Sequence, residues 1–491
     1  MSYTQKVAFN TIAQFVGKII GIGIALVTIG ILFRFLGVEG AGKYTTVFAF
    51  TSFFALFADI GLGWTMLREL SVEKDQNKVF QNIFTMRLIL GIFIYAVAAL
   101  VIWLFAYTPD VKMSVGVLSI AWFFQSLTSN AVQIYLNKYR MDIAVLAEVV
   151  GKACILLVVY LISIHGGSLM WVMGAYLAGC FVNFVIVWSL AGKFVKTGLA
   201  FDFVYWRYAF RQALPIGIVL VFGYVYYKVD SLMLSWIQGM TDVGIYGAPY
   251  KLLEVLQMFP ALFLGSAFSL VTRYVANKDE RLNSAFQKQF DFLSLIAVPI
   301  VIGTFILALP IITFITGSGG EFTTSSTVTL FGREMTSVTC LKILIFSVGV
   351  NFFSTLYNFM IVSLGKQKQM ILPTICFALI NIILNLILIP RYSYIGASVS
   401  TLFTEALVLI TTYYVSRRNI ILPLRFNVFG KILLSGIVMG LTCWGVYYYS
   451  GGLILTLLVA LVVYAIMVIA LKALPINTLK SIFKANQSKA S

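Results

Sequence analysis

Residues 12–36 read IAQFVGKIIGIGIALVTIGILFRFL, an apolar run broken only by Gln14, Lys18, Thr28 and Arg34. A helix rises about 1.5 Å per residue and the hydrocarbon core of a bilayer is about 30 Å thick, so about 20 mainly apolar residues cross it. The run is long enough. It lacks the sustained period-two alternation of a barrel strand, and a lipid-exposed backbone must satisfy its own hydrogen bonds, so a helix is dictated. Comparable stretches follow at 44–68, 80–106, 114–137, 143–164, 168–190, 212–236, 244–271, 286–315, 335–364, 369–389, 394–416, 430–449 and 452–474. The expected fold is an all-α polytopic membrane protein with about 14 transmembrane helices. Met1 to Asn10 lead into the first span without a short apolar core and small-residue cleavage site, so that helix is expected to act as its own insertion signal.

Composition agrees: hydrophobic residues make up 60% of 491, charged residues 11%, and mean hydropathy is +0.96, whereas soluble domains carry about 25% charged residues. The net charge of +17 does not point to nucleic acid, because the basic residues are spread over loops rather than gathered on a soluble face. Membrane orientation accounts for them. With a cytoplasmic N-terminus, that side receives Lys74, Lys78, Lys138, Arg140, Lys193, Lys196, Arg273, Lys278, Lys366, Lys368, Arg417, Arg418 and the tail lysines Lys480, Lys484 and Lys489. Roughly 24 of the 35 basic residues then lie inside and about 5 outside (Arg34, Lys43, Lys112, Arg333, Arg391), as the positive-inside rule requires. A cytoplasmic (inner) membrane protein with both termini in the cytoplasm is expected. Cys154, Cys180, Cys340, Cys376 and Cys443 all fall within spans without CxxC spacing, and His165 is the sole histidine, so neither a disulfide framework nor a metal site is expected.

The longest outer loop, 316–334, is long enough for a turn or a short amphipathic piece, and the larger cytoplasmic connections are 191–211 and 417–429. These divide the chain into 1–211 (six helices), 212–416 (six helices) and 417–491 (two helices and a tail). Two fragments support a repeat: Leu36-Gly37 leading to Gly42-Lys43-Tyr44 resembles Gly239 leading to Gly244-Ile245-Tyr246, and Lys138-Tyr139-Arg140 matches Lys366-Gln367-Lys368. Two six-helix lobes of the same orientation would be related by a pseudo-two-fold axis along the membrane normal, the architecture of a transporter that rocks its halves around a central site. A receptor or scaffold is the other reading of such a bundle.

Gly37-Val38-Glu39-Gly40-Ala41-Gly42-Lys43 imitates a phosphate-binding loop, but Tyr44 replaces the required Ser or Thr and the segment joins two spans. We read it as a tight Gly-rich turn. Asn486-Gln487-Ser488 is only a formal glycosylation match in a cytoplasmic tail. The informative charges lie inside spans: Lys18, Asp59, Arg87, Glu148, Lys152, Lys228, Asp230, Lys251, Glu254, Lys342 and Glu405. An unpaired charge at mid-membrane costs at least about 2.5 to 3.5 kcal/mol, so each needs water, a partner or a substrate. Glu148 and Lys152 are spaced for an in-helix salt bridge, and Arg87 lies near a span end where snorkelling or a salt bridge accounts for it. Lys251 and Glu254 share a helical face with Tyr250, while Tyr224, Tyr227 and Lys228 share another, which places a wet cavity by the seventh and eighth spans. The tyrosines are packing residues or sugar platforms. Pro215, Pro249 and Pro260 each remove a helical hydrogen bond there, giving static kinks or hinges.

The chain resembles the polysaccharide transporter branch of the multidrug/oligosaccharidyl-lipid/polysaccharide flippase superfamily, the Wzx-type O-antigen and repeat-unit flippases. The resemblance runs from the first span through the fourteenth. Its carriers are Phe35-Leu36-Gly37 through Gly42-Lys43-Tyr44, Ala58-Asp59-Ile60-Gly61-Leu62-Gly63, Asp230 with Gly244-Ile245-Tyr246, Leu364-Gly365-Lys366, and Asn381 through Pro390 followed by Gly396-Ala397. It implies a flippase that moves undecaprenyl-diphosphate-linked oligosaccharide repeat units from the inner to the outer leaflet by alternating access, without ATP, for O-antigen, capsule or exopolysaccharide biosynthesis. It also implies a cationic lumen bordered by the first, second, seventh and eighth helices. On those helices Lys18, Lys228 and Lys251 become the substrate-binding cations, and Asp59, Asp230 and Glu254 the gating or ion-coupling carboxylates. Tyr224, Tyr227 and Tyr250 are candidate sugar or lumen aromatics. No cofactor is expected beyond coupling to H+ or Na+, and the partners implied are the lipid-linked substrate, membrane lipids, a glycan polymerase and a chain-length regulator.

The nearest rival is a cation-coupled multidrug or metabolite antiporter of the same superfamily, which would carry carboxylates without matching lysines. An enzyme such as a polytopic glycosyltransferase needs an outer loop with acidic or histidine catalysts, and 316–334 offers only Glu321, Arg333 and Glu334.

Overall fold

The computed structural model describes residues 3–73, 75–317, 320–330 and 332–473. Lys74, the tail lysines Lys480, Lys484 and Lys489, and Asn486-Gln487-Ser488 lie outside the described residues. Sixteen α-helices dominate the described residues: α1 (Tyr3–Asp59), α2 (Leu62–Val72), α3 (Gln76–Val101), α4 (Pro109–Asn137), α5 (Met141–His165), α6 (Leu169–Ala191), α7 (Phe203–Ile237) and α8 (Met240–Leu256) in the first half. Then follow α9 (Met258–Ala276), α10 (Arg281–Ile306), α11 (Ala308–Thr316), α12 (Glu321–Thr324), α13 (Ser337–Ser363), α14 (Ile371–Asn419), α15 (Asn427–Ser450) and α16 (Leu453–Ala470). The segment 316–334 includes the one-turn α12 and a minimal antiparallel pair, Thr329–Leu330 with Arg333–Glu334.

Two elements are each two spans. At about 1.5 Å per residue the 57 residues of α1 would far exceed the bilayer, and the chain instead reverses at Gly37 (φ 66°). The Phe33 and Tyr44 rings, eleven positions apart, meet edge to face at 6.2 Å. Only a residue without a β-carbon adopts that backbone cheaply, so the Gly-rich segment is the tight turn expected of it. The second case is α14, which reverses at Ser393 (φ 46°), and Asn381 on its first arm reaches Ser400 and Thr404 on its second. Among the described residues ten helical segments pass as membrane spans by length and apolarity, and two bent pairs, 203–237 and 240–276, add two more. Separating the arms of α1 and α14 yields the fourteen that the apolar runs predict.

The proline expectations resolve individually. The helix axis bends by 54° just after Pro215. Pro260 sits in the first turn of α9, where Gln257 before it keeps helical dihedrals, and Pro249 stays inside α8; the 49° bend of this segment falls after Gly265 instead.

Contacts gather the chain into two compact units, Met1–Gly247 with Ile315–Glu321, and Ala248–Phe314 with Phe322–Ser491. Lipid is as apolar as leucine, so helices in a bilayer associate through small residues and polar side chains. In the first unit Gly151 of α5 and Gly179 of α6 face each other so closely that a β-carbon on either would press on the other's carbonyl. The Tyr135 hydroxyl of α4 donates to the Val187 carbonyl at 2.6 Å. In the second unit Gly436 and Gly440 of α15, one turn apart, seat Val298 and Ile302 of α10.

Candidate functional site

Near the start of the first unit, Gly17 and Gly21 turn the smooth face of α1 toward Val145 and Lys152 of α5. Half-buried Lys18 stands beside that face. Lys152 holds Glu148 at 2.6 Å, the in-helix pair that the spacing predicts. Two cationic side chains from different helices thus flank one small-residue seam.

Asp59 ends α1, where the chain breaks at Ile60 (φ 39°) and Gly61 (φ 83°) before α2 begins. Its Oδ1 accepts from the Gly63 amide at 3.1 Å and meets Arg87 Nη2 at 2.8 Å. Arg87 does not snorkel: its side chain is 3% exposed and donates to Asn130 Oδ1 (2.9 Å) and Ser129 Oγ (2.8 Å) on α4. A buried guanidinium needs such partners, because desolvation costs several kcal/mol; both Nη atoms are engaged and Nε is not. The carboxylate is therefore anchored through a three-helix polar knot that the sequence distance of α1, α3 and α4 conceals.

On α7, Tyr224 and Lys228 line one groove, whereas the Tyr227 ring packs edge to face on Tyr226. Asp230 is buried and accepts from the Tyr246 hydroxyl at 3.0 Å. Tyr246 is the repeat counterpart of Tyr44, whose own hydroxyl bonds to Tyr176 at 2.7 Å. The fragment similarity thus marks two buried tyrosines that each carry a polar anchor. In the second unit Lys251 Nζ meets Glu254 Oε2 at 3.0 Å, both largely buried, beside fully packed Tyr250. The structure places Lys18, Asp59, Tyr224, Tyr227, Lys228 and Asp230 in the first unit and Tyr250, Lys251 and Glu254 in the second.

Sequence reasoning missed two sets of polar residues. On α3, Asn77, Gln81 and Thr85 recur every fourth position and with Asn82 capture the 192–202 connector through the Lys196, Ala200 and Asp202 backbone. That stripe was readable as a polar face. Glu321 was not: from 283 positions away its Oε2 accepts from the Val38 amide at 3.3 Å, beside the Gly37 turn. The described residues contain no cluster of three or more metal-ligating side chains.

Fold and site together define a multi-pass membrane protein in which intramembrane charges meet across helices, as Asp59 and Arg87 do, and along them, as Glu148–Lys152 and Lys251–Glu254 do. The chain belongs to the polysaccharide biosynthesis protein family, whose model matches residues 7–269, and a MatE model matches 215–387. A relative in Haloferax volcanii, named "Probable low-salt glycan biosynthesis flippase Agl15", is 20% identical over 460 residues, 90% of each chain. The solved lipid II flippase MurJ in an inward closed conformation superposes with a TM-score of 0.73 at 15% identity, over 98% of this chain and 99% of that one. An inward-facing multidrug resistance MATE transporter of the MOP superfamily gives 0.66 at 13% identity, over 81% and 94%. These likenesses show the fold, fourteen spans in two helical lobes.

Proposed function

We propose that this protein is a flippase that carries undecaprenyl-diphosphate-linked oligosaccharide repeat units from the inner to the outer leaflet by alternating access. It is a transporter rather than an enzyme, and it resides in the cytoplasmic membrane with both termini inside. The observation that carries the reading is the family match over 7–269, within which Lys18, Lys228 and Lys251 stand inside spanning helices where charge is costly. A diphosphate brings such cations concentrated negative charge in a low-dielectric setting, where the attraction is strong. Asp59, Asp230 and Glu254 hold gating or coupling roles, with H+ or Na+ as the coupling ion. Lys251 already engages Glu254, and substrate competing for that lysine converts binding energy into movement. Tyr224, Tyr227 and Tyr250 serve as lumen aromatics, and a glycan polymerase and a chain-length regulator act downstream.

The test is a deletion strain examined for lipid-linked oligosaccharide trapped on the cytoplasmic leaflet, complemented by Lys18→Gln, Lys228→Gln and Lys251→Gln variants. Accumulation on deletion and failed rescue by the expressed variants are expected; intact surface glycan in both would overturn the reading. The MatE match over 215–387 supports a second reading, a cation-coupled antiporter, for which the deletion strain would become drug-sensitive with its glycan unchanged.

A further inference from the structure

Within the first unit the second arm of α1, the end of α3 and the last turns of α7 enclose a groove of about 270 Å³. Phe50, Phe53, Phe54 and Phe105 form one side, Tyr224, Leu232 and Trp236 the other, and no nitrogen or oxygen atom is exposed on its wall. The α7 contribution runs from residue 224 to 236, so at about 1.5 Å per residue the groove is about 18 Å long and parallel to the helix. That shape suits an extended chain better than a compact ring system. Tyr224 is the midpoint of the 212–236 span. At the far end Phe105 stacks on Trp236 at 5.1 Å, and the Tyr107 and Ser235 hydroxyls bond at 2.7 Å. Trp236 is 56% exposed, so the groove is open at this end. The methylene stem of Lys228 belongs to the wall, and such stems keep their ammonium groups beyond the apolar surface they cover.

We infer that this groove holds the polyprenyl chain of the substrate while its diphosphate is engaged near Lys228, before the lipid is inverted. The inference rests on the flippase reading and its orientation. A carrier lipid drawn from the inner leaflet toward mid-membrane still points its chain outward, and the outer half of α7 is where the groove lies. Six aromatic rings, from Phe50, Phe53, Phe54, Phe105, Tyr224 and Trp236, face it. They match the methyl groups and double bonds of an isoprenoid, whose edges are attracted to ring faces.

The experiment uses the full chain in nanodiscs with a short photoactivatable polyprenyl diphosphate, followed by peptide mapping. Labelling within 50–54 and 224–236 is expected, displaced by unlabelled polyprenyl diphosphate but not by phosphatidylglycerol or inorganic pyrophosphate. Leu232→Trp, which fills the groove, is expected to reduce labelling about tenfold, equivalent to about 1.4 kcal/mol of binding. Met233→Phe supplies the same reading from the same helix if the tryptophan variant fails to insert. Labelling confined to other segments, or undiminished in the filled variants, overturns the site. Equal competition by phosphatidylglycerol overturns the isoprenoid assignment. If the groove labels as expected but the deletion strain traps no lipid-linked oligosaccharide, the flippase reading fails while the binding site stands.

Discussion

Gly42 lies directly against Gly244: a β-carbon on Gly42 would fall 3.0 Å from the Gly244 amide nitrogen and would overlap the Met240 carbonyl. The contact is reciprocal, since a β-carbon on Gly244 would overlap the Val38 carbonyl. Positions 38 and 42 are matched by 240 and 244 at one constant offset. The two copies of the repeated fragment therefore pack backbone to backbone about a local two-fold, which requires residues without side chains.

Gly42→Val and Gly244→Val are each expected to destabilise the protein by about 1–3 kcal/mol, the cost of forcing side-chain atoms into a closed contact. Gly23, with no atom within 4 Å of an added β-carbon, is the control, and Gly23→Ala is expected to stay within about 0.5 kcal/mol. Unfolding in detergent, followed by thermal aggregation, checks both. Equal loss at all three positions would count against a specific contact.

The Asp59–Arg87 pair should respond asymmetrically. Asp59→Ala strands a buried guanidinium and is expected to cost about 3 kcal/mol, in the range for breaking buried pairs. Arg87→Gln leaves a carboxylate that is 36% exposed and still holds the Gly63 amide, so about 1–2 kcal/mol is expected. The double variant should resemble Arg87→Gln alone. A double-variant cycle in denaturant measures the coupling, and simple additivity would refute it.

Asn381 is fully buried, donates to Ser400 Oγ at 3.4 Å and Thr404 Oγ1 at 3.3 Å, and accepts from Asn385 at 3.0 Å. Such bonds average about 0.6 kcal/mol in bilayers because alternative partners exist there. Asn381→Ala is therefore expected to cost about 1 kcal/mol, less than Asp59→Ala, with the loss seen as faster hydrogen exchange in α14. A cost above that of Asp59→Ala would invert the ranking.

Acid should loosen the 192–202 connector. The Tyr205 amide and then the Lys78 ammonium hold the Asp202 carboxyl below its usual range. A depressed carboxyl contributes stability that is complete above the unfolded value, about 3.9, and is lost as pH falls through the folded one. Hydrogen exchange across 193–202, corrected for intrinsic rates, should rise on acidification in the native protein. Asp202→Asn should exchange faster at neutral pH and show a smaller acid response.

Apolar length without period-two alternation specified fourteen helical spans, because lipid leaves a backbone only the helix or the closed barrel, and Gly37 was legible as a turn from its neighbours. Spacing along one helix also specified the Glu148–Lys152 pair and put Lys251 and Glu254 on one face, since i,i+4 and i,i+3 geometry is local. What Arg87 does was not legible: its partners lie 28 positions before it and 42 and 43 after it, and no local period encodes that distance. The same holds for Glu321 at the Gly37 turn. The sequence determined which residues enter the membrane and which of them carry charge, because solvation acts on each residue in turn. Only the tertiary structure decided that Asp59 meets Arg87, that Tyr246 meets Asp230 and that Gly42 meets Gly244, because those pairings depend on how helices cross, and crossing is set by shape complementarity between faces far apart in the chain.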